Sequence, residues 1–265
     1  MKGYKKRTII QFSEKETKSI NLSLISEEPL SIRVQGKPYT VVMRTPGDEI
    51  AHVAGFCLGE GVADSPDDFE TLGYCDEDVN VVTATLKAER IKSIPDILLR
   101  RGFISQTSCG ICGKELIDDI QQNIIPISGM PAVDIETAQH CLDTLSDYQE
   151  LRLETRASHA AALFTDKGEI LSAGEDVGRH NALDKSIGKL FLNKTLTQAS
   201  ILVLSSRISY ELVQKAARAG IPIIFAVSRP TALAVELAEQ LDMTLVCLSK
   251  NNGLLIFCGQ HRLKF

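Results

Sequence analysis

Cys109 and Cys112 stand two residues apart in a segment, QTSCGICGK at residues 106–114, that has no hydrophobic periodicity and reads as a loop. The reactive form of cysteine is the thiolate, and nearby cations raise its population. Arg100, Arg101 and Lys114 flank the pair. Gly110 and Gly113 give the backbone freedom to swing a sulfur between partners. One CxxC suits three chemistries: half of a zinc site, a dithiol/disulfide couple, or a sulfur-carrying nucleophile. Zinc normally takes four ligands, usually from a second pair. The chain has no second CxxC and no HxxxH. A thioredoxin-like couple opens a helix directly after a strand, whereas this pair follows a short predicted helix at residues 94–101. Spacing alone leaves the three chemistries open.

A second polar cluster, EDVGRHNALDK, spans residues 175–185. Asp176 is placed to cap a helix whose first turn holds Arg179, His180 and Asn181. His180 and Asp184 are four residues apart and positioned to pair. A capped amphipathic helix explains part of this. The crowding of polar groups exceeds what capping requires, so Arg179 and His180 are candidate ligand contacts. His159, ahead of three alanines, reads as a satisfied structural histidine. Cys57, Cys75, Cys141, Cys247 and Cys258 lie in apolar contexts and read as packing residues. Glu60, Asp64, Asp67, Asp68, Glu70 and Asp76 read as a solvated acidic surface.

The elements that must position these residues are more regular in the second half. In the first half, residues 39–44 and 79–86 read as strands and 49–59 as a helix. Residues 123–131, with two prolines and a glycine, are the candidate linker, dividing the chain into 1–128 and 129–265. Beyond it, residues 160–164 and 169–173 flank the hairpin signal Asp166-Lys167-Gly168. Residues 178–191 carry one apolar stripe at helical spacing: Leu183, Ile187, Leu190 and Phe191. Strands at 201–204, 222–227 and 243–248 then alternate with helices at 209–219 and 231–240, and residues 254–258 make a further strand. Continuous apolar strands between helices imply a parallel sheet covered on both faces.

Parallel strands joined by right-handed crossovers put their carboxyl ends on one edge. That edge should collect Ser205, Ser206 and Arg207, then Ser228, Arg229, Pro230 and Thr231, then Ser249, Lys250, Asn251 and Asn252. Hydroxyls, amides and cations at helix starts suit a phosphate-bearing ligand. Ordinary caps and solvated turns would look the same loop by loop. The chain has neither G-x-x-x-x-G-K-[ST] nor a strand-linked G-x-G-x-x-G, which argues against a nucleoside triphosphatase or a standard dinucleotide dehydrogenase.

The 265 residues are 44% hydrophobic and 24% charged with net charge −5, values of an ordinary globular protein rather than a disordered chain or a disulfide scaffold. No basic excess draws the chain to nucleic acid or anionic lipid. Seven scattered cysteines fit a reducing cytoplasm. The basic start, residues 1–11, lacks the apolar run of a signal peptide, and no stretch approaches a membrane span.

Four stretches together resemble one family: QTSCGICGK (106–114), EDVGRHNALDK (175–185), SSRISYELVQKAARAG (205–220) and FAVSRPTALAVELAE (225–239). The chain is similar to the formate dehydrogenase accessory sulfurtransferases, the FdhD family, across roughly residues 20–260. The resemblance implies an α/β fold with a cytidine deaminase-like three-layer α/β/α domain at residues 129–265 and a smaller α+β domain at 1–128. It implies a sulfurtransferase that takes persulfide sulfur from a cysteine desulfurase. The sulfur goes to the molybdenum cofactor, as bis-molybdopterin guanine dinucleotide, of formate dehydrogenase. Cys109 would bear the persulfide, with Cys112 a helper or second carrier. The cofactor-binding segment would be Leu248, Ser249, Lys250, Asn251, Asn252 and Gly253. Many members carry Gly-Arg where this chain has Asn252-Gly253, and Lys250 remains as the cation. A homodimer and no permanent metal are further implications. The deaminase signature is degraded: His159 precedes Ala160-Ala161 where a zinc deaminase has H-x-E, and no P-C-x-x-C follows. A cofactor-binding chaperone without catalysis, and a zinc- or redox-switched binding protein, are the competing functions.

Overall fold

The computed structural model describes residues 3–14, 16–76, 78–99, 124–127, 129, 132–249 and 253–265. Two nine-residue strands come first, β1 (Tyr4–Phe12) and β2 (Thr17–Ile25), paired antiparallel into a ribbon. Ile10 and Phe12 on this ribbon are 72% and 80% exposed. Next, β3 (Glu28–Val34) and β4 (Lys37–Arg44) form a hairpin. Its turn residues Gln35 and Gly36 both have positive φ, the conformation whose twist matches that of the paired strands. The helix α1 (Glu49–Gly59) follows, then β5 (Phe69–Cys75) and β6 (Asp78–Leu86). The four strands make one sheet in the order β4-β3-β6-β5, with Leu30, Ile32, Val34, Val82, Ala84 and Leu86 turned into the core. The helix expected at 94–101 is α3 (Pro95–Leu99), residues 100 and 101 lying outside the described residues, and a further short helix, α2 (Ala88–Ser93), precedes it. Pro95 separates them, because it has no N–H to continue a helix ladder.

The rest of the chain runs β7 (Val133–Asp134), α4 (Ile135–Thr144), α5 (Glu150–Thr155), β8 (His159–Phe164), β9 (Ile170–Asp176) and α6 (Arg179–Leu192). It continues with β10 (Ile201–Leu204), α7 (Tyr210–Arg218), β11 (Ile223–Ala226), α8 (Ala232–Gln240), β12 (Thr244–Leu248), β13 (Leu254–Cys258) and β14 (Leu263–Lys264). Six of these strands form a sheet in the order β13-β12-β11-β10-β8-β9. In this sheet neighbouring strands pair parallel only among β10, β11 and β12; β8 and β13 pair antiparallel to them, and β9 antiparallel to β8. The expected parallel sheet is thus mixed. The link from β12 to β13 is too short for a crossover, which needs a dozen or more residues. On the other flank, the tight turn at Gly168 (φ 80°) returns β9 beside β8.

Continuous apolar strands reflect burial on both faces. In β10, Leu202 and Leu204 enter one core and Ile201 and Val203 the other. In β11, Ile224 and Ala226 are divided from Ile223 and Phe225 in the same way. The helices α6, α7 and α8 cover the first face and α4 the second, giving three layers. The first core is continuous with α1 and the smaller sheet. There α1 and α6 touch backbone to backbone. A β-carbon on Gly188 would collide with the Ala51 carbonyl, and one on Gly55 with the Asp184 carbonyl.

The acidic stretch is largely ion-paired rather than merely solvated. Asp64 pairs with Arg90 and Arg218, Asp67 with Lys194 at 2.7 Å, and Glu60 lies 3.6 Å from Lys215.

Candidate ligand site at the sheet edge

Because β10, β11 and β12 are parallel, their following loops share one edge of the sheet. Val227 N–H donates to the Leu204 carbonyl and Thr231 N–H to the Ile208 carbonyl, both at 3.0 Å, stitching the first two loops together. Cys247 Sγ donates to the Ser228 carbonyl at 3.0 Å, joining the third strand to the second loop. Leu248 ends β12, and Ser249 N–H donates to the Gly253 carbonyl at 2.7 Å across the last turn. On the other side β9 runs parallel to β10, so α6 also begins at this edge. Here β8 starts, its Ala160 N–H donating to Ser205 Oγ at 2.8 Å. The structure therefore brings Arg179, His180, Ser206, Arg207, Ser228, Leu248, Ser249 and Gly253 to one edge. Cys109, Cys112, Lys250, Asn251 and Asn252 lie outside the described residues.

The hydroxyls are unequally free. Ser205 holds β8, and buried Ser206 donates to the Arg207 carbonyl at 3.0 Å. Arg207 and Arg229 are exposed and make no ion pair with a described residue. Arg179 buries its Nε without a hydrogen bond. His159 is not fully satisfied, since its Nδ1 is also buried without a partner. Burial, followed by the charges of Arg179, Arg152 and His180, holds the His159 pKa below its ordinary value.

Two pairings differ from those read from spacing. Asp176 does not occupy the helix cap, which is Gly178. Fully buried, it accepts from Thr45 N, Gly178 N and the Asn181 amide at 2.9 Å and pairs with Lys185 at 2.7 Å. Asn181 also donates to the Met43 carbonyl, and Lys185 to the Thr45 carbonyl. The start of α6 is thereby tied to the turn between β4 and α1. His180 does not meet Asp184. It points Nε2 at Glu211, 2.7 Å away, with Ser209 Oγ at 3.4 Å. Asp184 is buried against Lys215 at 2.9 Å, and burial pushes its carboxyl up to about 6. Glu211 belongs to the SYELVQK stretch, and spacing gave no signal for it because its partner sits on another helix.

Five cysteines fall among the described residues, all free thiols, and Cys57, Cys141, Cys247 and Cys258 are buried. Burial raises all four, Cys141 and Cys247 to about 12. Among the described residues no group of three or more His, Cys, Asp or Glu is arranged to hold a metal, and no helix is long and apolar enough to cross a membrane.

Fold and site define a three-layer α/β protein with a basic, hydroxyl-bearing sheet edge, joined to a small sheet through a shared core. The chain belongs to the FdhD/NarQ family, which it matches over residues 25–264. It is 38% identical over 266 residues to the sulfur carrier protein FdhD of Streptomyces coelicolor, covering 97% of this chain and 94% of that one. It is 39% identical over 254 residues to the protein of that name from Mycobacterium tuberculosis, covering 91% of each. A crystal structure from Desulfotalea psychrophila, described as a formate dehydrogenase accessory protein, superimposes with a TM-score of 0.78. It covers 98% of this chain and 99% of that one at 20% identity, a likeness of fold.

Proposed function

We propose that the protein is a sulfur carrier that serves formate dehydrogenase, loading a persulfide on Cys109 and delivering it to a molybdenum–guanine dinucleotide cofactor held at the sheet edge. The observation that carries this reading is the near full-length similarity to proteins named sulfur carriers. The edge supports it, because exposed Arg207 and Arg229 and the start of α6 suit the phosphates of a dinucleotide.

In the loading step, the Cys109 thiolate attacks the terminal sulfur of a desulfurase persulfide. A new S–S bond forms, the old one breaks, and the desulfurase leaves as a thiolate. Release of that sulfur as sulfide takes two electrons. The Cys112 thiol supplies them by attacking Cys109 Sγ, closing a Cys109–Cys112 disulfide as hydrogen sulfide departs to the acceptor. The cytoplasm is the compartment that keeps such a pair reducible for the next cycle. The protein acts as a homodimer in this reading, so that two edges serve the two nucleotide arms of one cofactor.

The test is mass spectrometry after incubation with a cysteine desulfurase and cysteine, without reductant. The expected gain is about 32 Da per sulfur on the peptide holding Cys109 and Cys112, removed by dithiothreitol. Cys109→Ala should abolish the gain and client activation while leaving the fold intact. Full client activation by Cys109→Ala would instead establish a chaperone without sulfur chemistry.

A further inference from the structure

We propose that Glu211 is a positioning residue that orients His180, so that the histidine meets an anionic oxygen of the ligand at the sheet edge. The proposal rests on the ligand reading of that edge and names how the edge recognises phosphate.

Three observations converge. Glu211 Oε2 lies 2.7 Å from His180 Nε2, a distance typical of a charge-assisted hydrogen bond. Ser209 is the cap residue of α7, yet its side chain accepts no capping hydrogen bond and instead lies 3.4 Å from the same Nε2. A serine at that position ordinarily caps its own helix. Finally, His180 sits in the first turn of α6, where the helix dipole disfavours a cation. A carboxylate brought from a neighbouring helix offsets that penalty.

The charged groups around His180 leave this task to Glu211. On its own helix, Asp184 is engaged by Lys215 at 2.9 Å, and Arg179 is a cation. From β8, His159 adds no negative charge. Glu211 is held below its ordinary value, first by the His180 hydrogen bond and further by the charges of His180, Lys215 and Arg179. It is therefore an anion at neutral pH. With Nε2–H donated to Glu211, the tautomer is fixed and Nδ1 is the atom left for a ligand. His180 Nδ1 makes no hydrogen bond to a described residue. A proton taken up at Nδ1 as the phosphate binds gives an N–H that the phosphate oxygen accepts, while Nε2–H stays on Glu211 and the carboxylate balances the new charge.

The test compares GDP and guanosine as probes by titration calorimetry on the full chain. Glu211→Gln keeps a hydrogen-bond acceptor and removes the charge. The expected result is about a tenfold loss of GDP affinity, or about 1.4 kcal/mol. The melting temperature should hold, and guanosine, which has no phosphate, should bind unchanged. In a His180→Ala background the same substitution should cost nothing more. With the ring neutral in the ligand-free protein, the side-chain ¹⁵N signals of His180 should report the single Nε2–H tautomer in the wild type and a mixture in Glu211→Ala. Unchanged GDP affinity in Glu211→Gln, or an equal loss with and without His180, overturns the proposal. If the wild type does not bind GDP, the ligand reading of the edge fails and takes the recognition role with it. The ¹⁵N signals then still decide the pairing itself.

Discussion

His52 on α1 is completely enclosed, and neither ring nitrogen makes a hydrogen bond. Burial, then the charges of Lys185, Lys215 and Arg44, hold its pKa well below the ordinary histidine value, with Asn181 acting weakly the other way. The unfolded chain binds a proton here below about pH 6.5 while the folded one does not. Stability from this group is therefore present above that pH and is lost on acidification, by about 1.4 kcal/mol per pH unit. Urea unfolding between pH 7.5 and 5 should show that fall in the wild type and a smaller one in His52→Leu. At this scale the sequence was informative about which residues are polar and crowded, and poor on whom they meet. His180 and Asp184 have the right spacing to pair, yet each finds its partner on α7. Asp176 has the right position to cap, yet buried Lys185 and the Thr45 amide claim it. Such partners come from tertiary packing, which local spacing does not record.

Among the elements, the contact of α1 with α6 depends on two positions that admit no side chain. Gly188→Ala would drive a methyl into the Ala51 backbone, which cannot rotate away as a side chain can. The cost should be about 1–3 kcal/mol or more, read as a lower melting temperature. Gly73→Ala, where an added methyl meets nothing within 4 Å, is the matched control and should melt close to the wild type. Elements with strong periodicity were legible: residues 49–59 form α1, and the alternation of strands with α7 and α8 is as the pattern implies. The ribbon of β1 and β2 was not: Ile20, Leu22 and Leu24 alternate along β2, but β1 sets Arg7 and Lys5 opposite Leu22 and Leu24, and the ribbon is mostly exposed. Strand direction was also hidden. Apolar runs report burial on two faces but not orientation, so the antiparallel β8 and β13 emerged only from the connections.

For the molecule as a whole, the ribbon and the sheets should differ sharply in persistence. A two-stranded ribbon is marginal by itself, and this one is tied to the rest by few links, such as Ser23 to Glu154 at 3.2 Å and Lys5 to Glu28 at 3.7 Å. Hydrogen exchange should find its amides exchanging orders of magnitude faster than those of β10 and β11, which open only with the core. Equal protection would mean that something covers the ribbon in solution. The two-faced core has another effect, on the inventory of sulfur. Cys57, Cys141, Cys247 and Cys258 are enclosed and kept protonated by their surroundings. Thiols in that form are poor nucleophiles. A reactive sulfur atom entering this protein would find these four doors closed, and among the described thiols only half-buried Cys75 stays within reach.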